Sequence, residues 1–280
     1  MNQVVERPPV RVLRARKNWI PPNPAELWEF RHLLMRFAAR DVTLRYRQTA
    51  LGATWVILQP LLGAGILSFV FGSVAGLPGP AGIPYFVFSL VGMVAWTCFS
   101  QVATRSSSSL IANASLVQKI FFPRLLLPFS TVMSTFVDVA VSLGLVAVVM
   151  AFQGVPPGAA VATFPIWLLM FVLLGLGLGL TAGALMVRFR DVGYVLPLVV
   201  QLFLFLSPVA YQLSAVPADK LTLYELNPLA GLLEGWRWAV LGTTAPSAGL
   251  VTYSVVFTLV VFAMGLVVFN RMERGFADVI

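Results

Sequence analysis

Cysteine, histidine, lysine and charge are all scarce in this 280-residue chain, and each scarcity excludes a class of chemistry. A single cysteine, Cys98, can form no internal disulfide, and with a single histidine, His32, it can build no Cys/His metal centre within the chain. Cys98 lies in an apolar stretch, where a small buried hydrophobe is expected. The three lysines, Lys17, Lys119 and Lys220, do not follow the glycine spacing of a Walker A loop, so the chain is not expected to hydrolyse ATP. Gly175, Gly177 and Gly179 imitate a phosphate loop only superficially, because they sit inside an unbroken apolar run. The apolar stretches hold no carboxylate pair and no convincingly placed Ser–His–Asp set, which an intramembrane enzyme would need. No enzyme and no cofactor are therefore expected in this chain.

Charged residues make up 11% of the chain, against about 25% in soluble domains. Hydrophobic residues make up 59%, and mean hydropathy is +0.88. Lipid is the only solvent that suits so much apolar surface. Six stretches stand out, at 51–74, 84–104, 125–151, 161–187, 193–212 and 249–270. Each meets or approaches the roughly 20 residues a helix needs to cross a bilayer core. The expected fold is an all-α membrane protein with six transmembrane helices. The basic stretch 1–47 is too long and charged for the short start of a secretory signal, and none is expected.

Net charge is +8, and 17 of the 19 basic residues fall on one side of the six stretches. Only Lys220 and Arg237 fall on the other. The positive-inside rule then places both termini in the cytoplasm. The high isoelectric point reads as topology, with an attraction for anionic lipid, and not as a nucleic-acid footprint.

Along the chain, 1–24 reads as a flexible cytoplasmic tail rich in Pro and Arg, and 275–280 as a cytoplasmic C-terminus. Between them, 25–47 precedes a transmembrane domain over 48–274. In 25–47, Leu27, Phe30, Leu33, Leu34, Phe37 and Leu44 recur at helical spacing, with Glu29 and arginines on other faces. This predicts an amphipathic interface helix, either a lipid anchor or a lever beside a pore. Pro60 is expected to kink the first span. After the second span, Asn113 is expected to cap a short helix carrying Lys119, which Pro123 stops. Phe121 and Phe122 follow, suited either to docking in a groove on another protein or to burial under the amphipathic helix. Gly175, Gly179 and Gly183 form a small-xxx-small run for close helix packing. The stretch 213–244 carries Asp219, Lys220, Glu225, Glu234 and Arg237, so it cannot face lipid as a span. Asn227-Pro228 opens a helix too short to cross, and a re-entrant pair of helices is expected there.

Asp138 is the one acidic residue well inside a stretch, and a structural or pore-facing hydrogen-bond role is expected for it rather than proton coupling. Trp55, Phe69, Phe71, Phe203, Phe205 and Tyr211 are candidates for lining a conduit, since aromatic faces suit sugar rings; simple packing is the alternative. Arg31, Arg36, Arg40, Arg45 and Arg47 are candidates for a portal attracting a lipid diphosphate, because Arg pairs with phosphate oxygens bidentately; topology explains them as well.

Four motifs taken in order resemble the membrane subunit of polysaccharide ABC exporters, the Wzm/KpsM/TagG-like type-2 permease family. They are Arg45-Tyr46-Arg47-Gln48-Thr49-Ala50-Leu51-Gly52-Ala53-Thr54-Trp55 with Gln59-Pro60-Leu61-Leu62; Ser115-Leu116-Val117-Gln118-Lys119-Ile120-Phe121-Phe122-Pro123-Arg124; Phe189-Arg190-Asp191-Val192; and Ser207-Pro208-Val209 with Asn227-Pro228 and Arg237. The resemblance implies a multi-pass protein of the bacterial plasma (inner) membrane. It implies a homodimer with two copies of a separate ATP-binding subunit, which holds ATP and Mg. The implied cargo is a lipid-linked polysaccharide, typically on undecaprenyl diphosphate, in a channel between first and fifth spans. The amphipathic helix would border a portal. Asn113, Leu116, Lys119, Phe121, Phe122 and Arg124 would couple to the ATPase. Rival readings are a type-2 permease for a drug or lipid, and a membrane enzyme of glycan assembly.

Overall fold

The computed structural model describes residues 28–47 and 54–276, and the side chain of Arg274 is not among what it describes. The expectations for the tail 1–24, for Leu27, for 48–53 and for the end of the chain lie outside these residues. Among the described residues all regular structure is helical. The helices are α1 (Arg31–Tyr46), α2 (Thr54–Leu67), α3 (Tyr85–Ala112), α4 (Ala114–Lys119), α5 (Leu126–Phe152), α6 (Phe164–Arg188), α7 (Val192–Leu206), α8 (Ala218–Glu225), α9 (Pro228–Leu241) and α10 (Ala248–Met272).

Five helices are long and apolar enough to cross a membrane: Thr54–Val74, Tyr85–Ala112, Leu126–Phe152, Val161–Arg188 and Ala248–Met272. The first continues α2 through a π-helical stretch, Ser68–Val74. The chain stays helical through Pro60, which is buried. The stretch 193–212 is shorter as a helix than its apolar run. It is helical only over the 15 residues of α7, about 22 Å at 1.5 Å per residue. It stops because Ser207 precedes Pro208 and takes an extended conformation, φ −104 and ψ 146, which a residue before proline favours.

The second stretch departs the other way. It was expected to end at Thr104, yet α3 runs on through four serines to Ala112. Their hydroxyls donate back to carbonyls three or four residues earlier, as Ser107 does to Thr104 at 2.8 Å and Ser109 to Ser106 at 2.7 Å. Such back-bonding leaves no polar hydrogen seeking water and keeps the helix intact.

The core is α3 packed on α6, with α10 on the other side of α6 and α5 against α3. Small residues set these distances. A methyl at Gly179 would stand 1.8 Å from Ser106 Oγ, and one at Gly265 would stand 2.4 Å from the Gly177 carbonyl oxygen. In lipid, helices gain little from apolar burial alone, so close backbone approach and interhelical bonds supply the association. By contrast α2 and α7 leave much of their apolar surface uncovered, including Leu62, Ile66, Leu198 and Leu202.

The helices α8 and α9 fill the stretch 213–244 together with a short turn at Leu213–Ala215. Asn227 Oδ1 accepts from the Leu229 amide at 3.0 Å, Pro228 sits at the first turn, and Gly242 closes α9 in the left-handed region. α9 is mostly buried against α3, α6 and α10, while α8 has no buried residue. The opposite end of the bundle carries α1, α4, the turn after α6 and the segment after α10, and with them nearly all the described basic residues.

Candidate functional site

At this basic end, α1 lies across α5. Phe37 and Ala38 are buried, and Phe30, Leu33 and Leu34 pack partly against the core. Leu44, counted with them in the sequence pattern, is instead exposed. The last turn of α1 inverts the expected amphipathicity by turning Arg45 and Tyr46 inward.

Their target is Asp138, on α5, which is buried. Its carboxylate accepts from Arg45 Nη1, from the Tyr46 hydroxyl and, at 2.8 Å, from Arg105 Nη1 of α3. Arg45 also donates to Ser134 Oγ at 3.3 Å, and Arg105 to Thr135 Oγ1 at 3.3 Å. Burial raises the Tyr46 phenol above its ordinary pKa, and the neighbouring Asp138 carboxylate raises it further, so it remains a donor at neutral pH. Three helices are thus joined through one carboxylate. Removing the carboxylate would leave two part-exposed guanidiniums without their counter-charge.

The five portal arginines separate in space. Arg31, Arg36 and Arg47 are exposed, with Arg31 bonded to the Trp28 carbonyl at 3.1 Å. Arg40 pairs with Asp41 at 3.3 Å and donates to Asn113 Oδ1 at 2.5 Å. Arg45 belongs to the Asp138 cluster.

The six coupling candidates separate as well. Asn113 makes no capping bond to α4; its amide donates to the Ser109 carbonyl at 2.8 Å while its oxygen takes Arg40. This corrects its expected role as a cap: it ties the helix end to α1. Phe122 is buried edge-on against Phe37, with ring centroids 5.6 Å apart, and Leu116 packs partly on the core. The Arg124 amide donates to Glu273 Oε1 at 3.2 Å and its guanidinium to the Glu273 carbonyl, fastening the hairpin to the end of α10. Lys119 and Phe121 point away from the bundle, Phe121 being 71% exposed, and Ile120 is exposed beside them. Phe122 thus takes the burial under α1 that the sequence left open, and Phe121 stays exposed.

The aromatics do not form one wall within a single chain. Phe71 packs obliquely on Tyr211 at 6.1 Å, and Tyr211 meets Tyr224 edge-on at 6.2 Å. Trp55 sits near Arg45 and Asp138. Phe203 borders an apolar cleft of about 550 Å³ between α7 and α6, and Phe205 and Phe69 are exposed.

Arg237 is the residue that sequence reasoning placed in a motif without a partner. It is fully buried on α9, its guanidinium lies 3.9 Å from the centre of the Phe88 ring, and it donates to the carbonyls of Val209 at 2.5 Å and Tyr211 at 3.2 Å. Glu234 lies 3.5 Å away. Tyr85 donates to the Ala210 carbonyl at 2.5 Å and Asn227 to Ser207 Oγ at 2.9 Å. Arg237 and Tyr85 thus satisfy the main-chain carbonyls of 209–211, which have no helix to do so, and Asn227 holds the Ser207 side chain. Arg105, the first residue past the expected end of the second span, was not singled out by the sequence either. The continuation of α3 past Thr104 keeps Arg105 on the helix, where it reaches Asp138.

The sequence profile of the ABC-2 type transporter family matches residues 32–241, which run from α1 to the end of α9. The chain belongs to the ABC-2 type transporter family. It is a multi-pass membrane protein and a transport subunit, and membership implies a partner subunit that binds ATP. Several curated proteins are similar over nearly their whole length. The O-antigen export system permease protein RfbA of Klebsiella pneumoniae is 28% identical over 254 residues, covering 89% of this chain and 95% of that one. The protein of the same name from Myxococcus xanthus is 28% identical over 252 residues, covering 89% and 96%. The polysialic acid transport protein KpsM of Escherichia coli is 28% identical over 242 residues, covering 84% and 92%.

Proposed function

We propose that this chain is the permease subunit of an ATP-driven ABC exporter that moves a lipid-linked polysaccharide from the cytoplasmic to the outer side of the bacterial inner membrane. Relatives named for O-antigen export and polysialic acid transport, similar end to end, support the cargo class. Two copies of the chain assemble with two ATP-binding subunits. The uncovered apolar faces of α2 and α7 are the surfaces that suit a second copy across a channel. We assign the sixth crossing to α7 together with the non-helical residues 207–212 that follow it, since the helix alone spans about 22 Å of a core of roughly 30 Å. Both termini then lie in the cytoplasm, with α8 and α9 re-entrant from the outside. α1 borders the portal for the lipid diphosphate.

The observation that carries the reading is the exposed tip Lys119-Ile120-Phe121. It is an apolar pair beside a cation, at the basic end of a family member whose energy source is another subunit. We assign it to the groove of the ATP-binding subunit. Phe122 and Arg124 anchor the hairpin so that motion of the tip reaches α1 and α10. The test is the double variant Lys119→Glu with Phe121→Ala. Loss of co-purifying ATP-binding subunit and of surface glycan, with the permease still in the membrane, is expected. Undiminished export in that variant refutes the assignment.

A further inference from the structure

Beside the Asp138 cluster lies a cavity of about 250 Å³, walled by α1, α2, α3 and α5. It is smaller than the ~300–1,000 Å³ of pockets for drug-sized ligands, so it suits a headgroup and not a chain of sugars. Arg45 and Arg105 bring two positive charges to its wall and Asp138 brings one negative charge. One cation is in excess. The Gln101 side chain also lines it, and its oxygen is buried without a hydrogen-bond partner among the described residues. An excess guanidinium calls for an anion, and a lone amide oxygen calls for a hydroxyl. Trp55, half exposed at the same cavity, offers an apolar ring face to carbon-bound hydrogens.

We propose that this cavity binds a phosphorylated, hydroxyl-bearing headgroup whose phosphoryl oxygens compete with Asp138 for Arg45 and so loosen α1 from the bundle. Guanidinium pairs with phosphate as it does with carboxylate, so a phosphoryl oxygen can take the place of Asp138 Oδ2 at Arg45 Nη1. Arg105 keeps Asp138 neutralised while Arg45 turns to the ligand. A ligand moves α1 only by binding better to the loosened state, and the freed Arg45 supplies that difference. The inference extends the export reading to a specific site, yet its test involves no export, so the two fail separately.

The test is hydrogen exchange of the α1 amides in the full chain held in nanodiscs. A 16-residue helix is marginal on its own, so loosening it shows as faster exchange. Three conditions distinguish the source: phosphatidylcholine alone, phosphatidylcholine with phosphatidylglycerol, and phosphatidylcholine with soluble glucose 1-phosphate. Severalfold faster exchange in 31–46 with phosphatidylglycerol assigns the site to a bilayer headgroup, and with glucose 1-phosphate to a sugar phosphate presented from water. Arg105→Gln should abolish either response, and Asp138→Asn should give fast exchange in phosphatidylcholine alone. No acceleration by either phosphate in the wild-type chain, or an equal acceleration in Arg105→Gln, overturns the proposal.

Discussion

A buried carboxylate at one end of the bundle and a buried guanidinium at the other are accommodated by different means. Asp138 is held by side chains from the core helix α3 and from α1, and those of α1 can leave with that helix. Arg237 is held chiefly by main-chain carbonyls of Val209 and Tyr211, by the Phe88 ring and by a carboxylate one turn away on its own helix. The first arrangement joins elements that can separate. The second repairs a place where the backbone left its helix and could not satisfy itself, and it can only be kept or lost. A junction suits a moving part, and a repair suits a fixed one. α1 and the hairpin around α4 lie at the Asp138 end, and the buried α9 at the Arg237 end.

The largest effect is expected at the fixed site. Arg237→Ala leaves the Val209 and Tyr211 carbonyls without their donor and removes the cation 3.5 Å from Glu234, and should destabilise the detergent-solubilised protein by about 3–5 kcal/mol. Thermal unfolding checks this, and a shift equal to that of an ordinary surface change would show that the carbonyls find other donors. Asp138→Asn should destabilise by about 1.5–3 kcal/mol, the scale of bonds to charged groups, and the change should be local. Protease cleavage within 28–47 should rise while the rest of the bundle stays resistant. If cleavage rises uniformly, the two sites do not differ in kind. Tyr46→Phe removes one donor from the same carboxylate and should lower stability by about 0.5–1.5 kcal/mol, measured by the same unfolding assay. Phe121→Ala, at an exposed position, should stay within about 0.5 kcal/mol of wild type while losing its ATP-binding partner on purification.

The length and apolarity of α3, α5, α6 and α10 were legible in the sequence because a crossing helix needs a long uncharged run and little else. The glycines of α6 announced their helix packing for the same local reason. Where elements end was harder. The serines after Thr104 look like loop residues, but a hydroxyl can bond to its own helix, so polarity alone did not stop α3. The end of α7 was written in Pro208 and is a case where the local rule should have outweighed the apolar run. The pairing of Asp138 with Arg45, Tyr46 and Arg105 was not legible, since it joins residues up to 93 positions apart. A buried acid demands a partner, and the chain offered many arginines. Only the packing of α1 on α5 chooses among them. The division of Phe121 from Phe122 is similar: the sequence shows two adjacent rings, and the position of Phe37 decides which one is covered.

The central claim is that the exposed tip after α4 lies in the cytoplasm against an ATP-binding subunit. It is tested most directly by Phe121→Cys in a chain whose single cysteine is removed by Cys98→Ser. Intact cells are treated with a membrane-impermeant maleimide, and inside-out vesicles are treated in parallel with and without the ATP-binding subunit. The account predicts no labelling in intact cells, strong labelling in vesicles stripped of that subunit, and protection when it is bound. Labelling from outside intact cells would contradict the account.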